Sequence, residues 1–81
     1  MKITVKGFAM VRSDLEADEQ VMVLEPGATA ADLKDALLAR FPGLADWMPY
    51  VRLALNCEYR PWDAALRDGD EAALIPPVSG G

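Results

Sequence analysis

The side chains that most often do chemistry in proteins are scarce in this sequence. It has 81 residues, no histidine and one cysteine, Cys57. A histidine-based catalytic triad and a disulfide framework are therefore excluded within these residues, and a zinc site is nearly excluded. Cys57 lies near an expected hairpin, with no histidine to activate it. A packing or surface cysteine is therefore favoured over a nucleophile or a sulfur carrier.

The stretch "ALIPPVSGG" (residues 73–81) joins the end of an expected strand to two prolines and a glycine pair. Each proline fixes its own φ and biases the preceding residue to an extended shape, so we expect a stiff arm. Gly80 and Gly81 have no Cβ that could clash inside a narrow channel of another protein. The alternatives are a frayed end without a role, and prolines that merely end an edge strand.

Composition limits the class of protein. Hydrophobic residues make up 52% of the chain, charged residues 26%, and the net charge is −5. These values are typical of one globular domain and argue against nucleic acid as a partner. A basic protein partner fits the charge, and so does solubility alone. The acidic run Asp14, Glu16, Asp18 and Glu19 predicts a solvated loop rather than a metal site. Neither a signal peptide nor a membrane-spanning run is visible, so we expect a cytoplasmic protein without membrane contact.

Apolar periodicity predicts a sheet and one main helix. Strands are expected at residues 2–8, 20–25, 51–56, 58–60 and 71–76, with a hairpin between the first two. The helix is expected to start at Thr29, where Asp32 three residues later completes a capping box. It is expected to stop at "FPG" (residues 41–43), and residues 44–50 are predicted to form a loop.

The fold class that follows is α+β, a mixed sheet of four to five strands with one main helix packed across one face. The apolar stripe of the helix recurs at spacings of three and four residues, and comprises Ala30, Leu33, Leu37 and Phe41. We expect it to cover the inward residues of the strands, which are Ile3, Val5, Val51, Leu53, Leu55 and Leu74. Trp47 and Trp62 are predicted to anchor loops over this small core.

The order of elements resembles the ubiquitin-like β-grasp fold. Within it, "LRDGDEAALIPPVSGG" (residues 66–81) resembles the end of the molybdopterin synthase small subunit, the MoaD-type sulfur carriers. That family ends with a leucine, an Asp-Gly-Asp turn, an apolar strand, Pro-Pro, a small linker and Gly-Gly. "FAMVR" (8–12), "GATAADL" (27–33) and "ALN" (54–56) are also similar to the family. Leu74 and Ile75 depart from its pattern, since the family often has aromatic residues there.

The resemblance implies a non-catalytic carrier with a β-grasp domain (residues 1–75) and an extended tail (residues 76–81). A ubiquitin-activating-like adenylyltransferase would use ATP to adenylate the α-carboxylate of Gly81. A sulfur donor protein would then supply the sulfur of a thiocarboxylate, which reaches a pterin precursor in molybdenum cofactor biosynthesis. The chain itself would bind no cofactor and no metal. The catalytic lysines would belong to the large subunit of molybdopterin synthase.

A docking patch is expected beside the tail. Phe8 and Ile75 are out of phase with the core positions, which would place two large apolar groups on an otherwise polar face. A bulge after Gly7 that turns Phe8 inward is equally open. Arg12 is a candidate polar contact at the rim of this patch, although an ordinary solvated charge is favoured for it. Tyr59 is a further candidate for the patch, but the sequence does not fix the register of its hairpin. The candidate partner contacts are Phe8, Arg12, Tyr59, Ile75, Pro76, Pro77, Val78 and Ser79, and the chemistry would lie at Gly80 and Gly81.

Two other functions stay open. The first is a sulfur carrier for another product, such as thiamine, cysteine or a thiolated tRNA; carriers of the thiamine type share the fold and the glycines but usually lack the paired prolines. The second is a ubiquitin-like modifier joined to lysines through Gly81. An enzyme acting alone is disfavoured, because the chain offers no convergent set of catalytic side chains.

Overall fold

The structure, a computed structural model, describes residues 1–7 and 18–77. Its elements are β1 (Lys2–Gly7), β2 (Glu19–Val23), α1 (Ala30–Arg40), two 3₁₀ helices (Pro42–Asp46 and Met48–Tyr50), β3 (Arg52–Leu55), β4 (Glu58–Tyr59) and β5 (Glu71–Ile75). The strands form a five-stranded sheet in the order β2-β1-β5-β3-β4. β1 and β5 are parallel, and the other neighbours are antiparallel. The predicted mixed sheet, its first hairpin and its single main helix are confirmed for the described residues.

Helix α1 begins where Thr29 and Asp32 cap each other. The backbone N–H of Thr29 donates to Asp32 Oδ2 at 2.8 Å, and the backbone N–H of Asp32 donates to Thr29 Oγ1 at 3.4 Å. This reciprocal pair is a capping box with aspartate in the place of the usual glutamate. Such a cap contributes about 1 kcal/mol, because it satisfies N–H groups that the first turn leaves without partners. The predicted helix start is confirmed.

The apolar stripe of α1 is buried in one cluster with the inward residues of the sheet. Leu33 and Leu37 have no exposed surface, and Ala30 and Phe41 are buried beside them. Register brings the apolar residues of neighbouring strands together, since Leu53 lies opposite Leu74. Each large side chain buried in this way contributes roughly 1.5–3 kcal/mol. All the sheet residues predicted to lie under the helix are buried: Ile3, Val5, Val51, Leu53, Leu55 and Leu74.

The expectation of a loop over residues 44–50 is wrong. Two short 3₁₀ helices follow α1, and each has a proline at its start. Their turns bury Leu44 and Met48 in the core cluster. A proline suits the first turn of a helix because its missing N–H would have no partner there. Trp47 packs half-buried against the core, as predicted for a loop anchor, and so does Trp62.

The strands end slightly earlier than predicted. β3 stops at Leu55 because the chain then turns through Asn56 and Cys57, which have positive φ angles of 50° and 71°. β5 stops at Ile75 because Pro76, which follows, has no N–H to donate to a neighbour. β2 is Glu19–Val23 rather than 20–25, and β4 is Glu58–Tyr59 rather than 58–60. Position 8 of the predicted first strand lies outside the described residues.

Candidate partner-binding face

The sheet face opposite α1 carries alternate residues of each strand. At its centre Ala73 of β5 pairs with Ala54 of β3, and Ala54 pairs with Tyr59 of β4. One step along, Ile75 pairs with Arg52. Because paired residues of neighbouring strands point to the same side, Tyr59 and Ile75 lie on one face around two small alanines. The register of Tyr59, which the sequence leaves open, is thereby fixed.

Tyr59 is the large exposed aromatic of this face. It is 62% exposed, and the guanidinium carbon of Arg52 lies 4.8 Å from the centre of its ring. A cation over the ring face is attracted by the ring's electron density, so this contact favours the observed position of Tyr59. Ile75 is half-buried beside Arg52. The structure therefore brings two predicted partner contacts to one surface, and their role in binding stays a prediction.

The tail leaves the sheet from its central strand. β5 lies between β1 and β3 and pairs with both, so its direction is fixed on two sides. Pro76 follows half-buried and Pro77 is exposed. Both prolines restrict the backbone directly after a well-anchored strand, which gives the arm a defined starting direction. The predicted domain border between residues 75 and 76 coincides with the end of β5 and stays a prediction.

Six predicted site residues lie outside the described residues, and their roles stay predictions. They are Phe8, Arg12, Val78, Ser79, Gly80 and Gly81.

A polar clamp that the sequence interpretation misses fixes the start of β5. The side-chain amide of Asn56 donates to Asp70 Oδ1 at 3.0 Å, and its Oδ1 accepts the backbone N–H of Glu71 at 3.1 Å. Asp70 Oδ2 also accepts the backbone N–H of Arg67 at 2.8 Å. These bonds tie the β3–β4 turn to the turn before β5, whose Gly69 has φ +88°. Asn56 and Asp70 are 14 positions apart, so local spacing does not predict their contact. The sequence offers only two hints of the clamp, an asparagine before a turn and the "DGD" motif.

The face also carries an ion pair. Lys6 Nζ lies 3.4 Å from Glu71 Oε2, with both side chains about two-fifths exposed. A pair this accessible to water adds little stability, typically less than about 1 kcal/mol. Its effect is to hold a positive and a negative charge side by side on the outer sheet face.

The described residues contain one free cysteine and no cluster suited to a metal ion. Cys57 is a free, exposed cysteine at a turn, as predicted for a surface residue. Residues 1–7 and 18–77 contain no cluster of three or more His, Cys, Asp or Glu side chains that could hold a metal ion. In the same part of the chain no helix is long and apolar enough to cross a membrane.

Sequence comparison connects this architecture to known proteins. The chain matches the ThiS family over residues 6–81. It is 46% identical to the molybdopterin synthase sulfur carrier subunit of Chlamydomonas reinhardtii, over 100% of both chains. It is also 33% identical to small archaeal modifier protein 1 of Haloferax volcanii, over 95% of this chain and 87% of that protein.

Solved structures agree with the fold. The crystal structure of SAMP1 from Haloferax volcanii superimposes with a TM-score of 0.89 at 28% identity, covering 100% of both chains. A chain in the complex of subunits 1 and 2 of the Helicobacter pylori molybdopterin-converting factor matches with a TM-score of 0.73 at 27% identity, again covering 100% of both. The fold is the ubiquitin-like β-grasp, as the order of elements predicts, and the chain belongs to the ThiS family.

Proposed function

We propose that this chain is the sulfur-carrier small subunit of a molybdopterin synthase. The observation that carries the proposal is the 46% identity, over the full length of both chains, with the Chlamydomonas reinhardtii sulfur carrier subunit. The two-subunit Helicobacter pylori complex supports assembly with a second subunit. The paired prolines after β5 favour this branch of the family on sequence grounds.

The chemistry we propose takes place at the α-carboxylate of Gly81. A carboxylate oxygen attacks the α-phosphorus of ATP in the activating enzyme, and pyrophosphate leaves. Sulfur at the sulfide level, supplied by a donor protein, then attacks the acyl carbon of this mixed anhydride and AMP leaves. One C–O bond is broken and one C–S bond is formed, so the product is a thiocarboxylate. Its sulfur is transferred to the pterin precursor in molybdenum cofactor biosynthesis.

The chain's own contribution is presentation of the tail. β5 is held between β1 and β3 and is clamped at its start by Asn56 and Asp70. Pro76 and Pro77 then limit the number of conformations that the arm loses on entering a partner. Tyr59 and Ile75 supply apolar contact beside the arm's base. In this proposal the chain is not an enzyme on its own, holds no cofactor and works in the cytoplasm. Its partners are the large subunit, the adenylyltransferase and the sulfur donor.

The test is the intact mass of the protein after incubation with its adenylyltransferase, ATP and a sulfur source. We expect a gain equal to the replacement of one oxygen atom by one sulfur atom, mapped to Gly81. Reactions without ATP, and a chain lacking Gly81, are the controls and should show no gain. An unchanged mass, with an enzyme shown to adenylate another carrier, would overturn the proposal. Transfer of the sulfur to a pterin precursor by the large subunit separates this function from carriers for thiamine, cysteine or tRNA.

A second candidate function is covalent protein modification. Similarity to small archaeal modifier protein 1 in sequence and fold favours it. The activated Gly81 would then be attacked by a lysine amine, forming an isopeptide bond and releasing AMP. Conjugates of the chain in cells, lost when Gly81 is deleted, would support this role in place of the first or beside it.

A further inference from the structure

A groove runs along the β3–β4 edge of the sheet, next to the base of the tail. It has a volume of about 370 Å³, and its lining includes Arg52, Tyr59, Arg60 and Trp62. Arg52 pairs with Ile75, the last residue of β5, so the groove opens close to the point where the tail leaves the sheet. A protein that contacts the base of the tail at Pro76 would therefore lie beside this groove.

The groove combines cations with aromatic rings. The guanidinium of Arg52 lies 4.8 Å from the ring centre of Tyr59, and the ammonium of Lys34 lies 5.1 Å from that of Trp62. Such contacts orient a cation without neutralising it, because a ring carries no net charge. Two of the cationic groups thus have a favoured position and can still bind an anionic partner.

These cations have no carboxylate partner in the described part of the chain. None of Lys34, Arg52 and Arg60 lies within 4.0 Å of a carboxylate of the described residues. The lining of the groove includes no acidic residue. Glu58 pairs with the inward-facing Leu55 and lines a second cavity, which Arg60 also borders, but it forms no ion pair with Arg60. Three of the eight basic residues of a chain with net charge −5 are therefore gathered at one edge.

We propose that this basic groove, formed by Arg52, Tyr59, Arg60 and Trp62 with Lys34 behind, binds an acidic segment of the large subunit that accepts the tail. Arginine is suited to this because its planar guanidinium can donate two parallel hydrogen bonds to one carboxylate. The inference rests on the proposed function, since it assigns a second contact to the same partner. The tail would supply the reacting group, and the groove would fix the orientation in which the partner binds.

A protein segment fits better than a nucleic acid. The whole chain carries a net charge of −5, and a long polyanion would meet that negative surface beyond the groove. A short acidic segment can contact the three cations without reaching the rest of the surface. Negative charges of the chain that lie more than about 8 Å away repel it little, because physiological salt screens them. The positive groove and the negative charge of the rest of the chain together favour a short acidic protein segment as the ligand.

The test compares two double variants that carry the same net charge. Arg52→Gln with Arg60→Gln removes charge from the groove, and Lys2→Gln with Arg67→Gln removes the same charge near the start of β5. The affinity of each for the large subunit encoded in the same genome is measured by calorimetry at several salt concentrations. We expect the groove variant to bind about tenfold or more weakly, and the control variant to change by less than about twofold. Thermal unfolding should be similar for both.

The results separate this inference from the proposed function. Equal weakening by both double variants would show a long-range charge effect and overturn the groove site. No binding of the unaltered chain to the large subunit would overturn the proposed function and, with it, this inference. The octanucleotide (dT)₈ is the competing ligand. If the unaltered chain binds it more tightly than the large subunit and the groove variant does not bind it, the groove is a nucleic-acid site and the inference is overturned. A shallower salt dependence in the groove variant alone would support the inference.

Discussion

At the scale of single residues, Asn56 couples the hairpin to the strand that carries the tail. Its side chain binds both Asp70 and the backbone of Glu71, while its own φ of +50° closes the β3–β4 turn. Asparagine is one of the few non-glycine residues that adopt this left-handed conformation readily. One residue therefore shapes the turn and also fixes the start of β5.

We predict that Asn56→Gly lowers the free energy of unfolding by about 1–2 kcal/mol, because it removes two side-chain hydrogen bonds and keeps a residue suited to positive φ. Urea unfolding measures the change. Cys57→Gly is the matched control in the same turn: Cys57 has φ +71° and no side-chain bond within the described residues. We expect that variant to be neutral or slightly more stable. Equal losses in both would mean that the clamp contributes nothing.

At the scale of elements, the sheet separates stability from recognition by strand alternation. Leu74 of β5 faces the helix and is fully buried, whereas Ile75 turns to the outer face. β4 is only two residues long, yet its pairing with β3 places Tyr59 on that same outer face. The face beside the tail can therefore vary with the partner while the buried face stays constant.

Tyr59→Ala should weaken binding to the large subunit about tenfold and leave the melting temperature nearly unchanged, because the ring is 62% exposed. Val23→Ala is the matched control, since Val23 is 72% exposed on the same outer face but on β2, the edge strand farthest from Tyr59. We expect it to alter neither property. The two affinities can be compared by calorimetry under identical conditions. A large fall in the melting temperature of the Tyr59 variant would instead give the ring a structural role.

At the scale of the whole molecule, the sequence predicts what depends on local spacing. The capping box of Thr29 and the apolar stripe of α1 follow from neighbouring positions, and both are confirmed. The sequence does not predict the 3₁₀ helices over 42–50, because one turn of helix gives too few repeats to show a period. The contact of Arg52 with Tyr59 and the clamp between Asn56 and Asp70 depend on strand register, which a single sequence does not encode locally.

The tail and the domain should be separable in experiment. The last sheet pairing of β5 is at Ile75, and within residues 1–7 and 18–77 the buried core residues all precede it. We therefore predict that one glycine appended after Gly81 abolishes loading with sulfur, because it moves the carboxylate away from the phosphorus it must attack. The free energy of unfolding should not change. Intact mass after incubation with the adenylyltransferase, ATP and a sulfur source, together with urea unfolding, gives both quantities.

Gly81→Ala is the matched variant, because it adds a Cβ without moving the carboxylate along the chain. We expect it to load more slowly than the natural chain, since the Cβ restricts the backbone and narrows the fit, but to reach a measurable extent. The appended glycine thus tests the position of the carboxylate, and Gly81→Ala tests how much room the partner's channel leaves around the last residue. Full loading of the extended chain would show that the position of the carboxylate does not matter. A loss of stability in either variant would mean that the tail belongs to the folded domain, contrary to the border between residues 75 and 76.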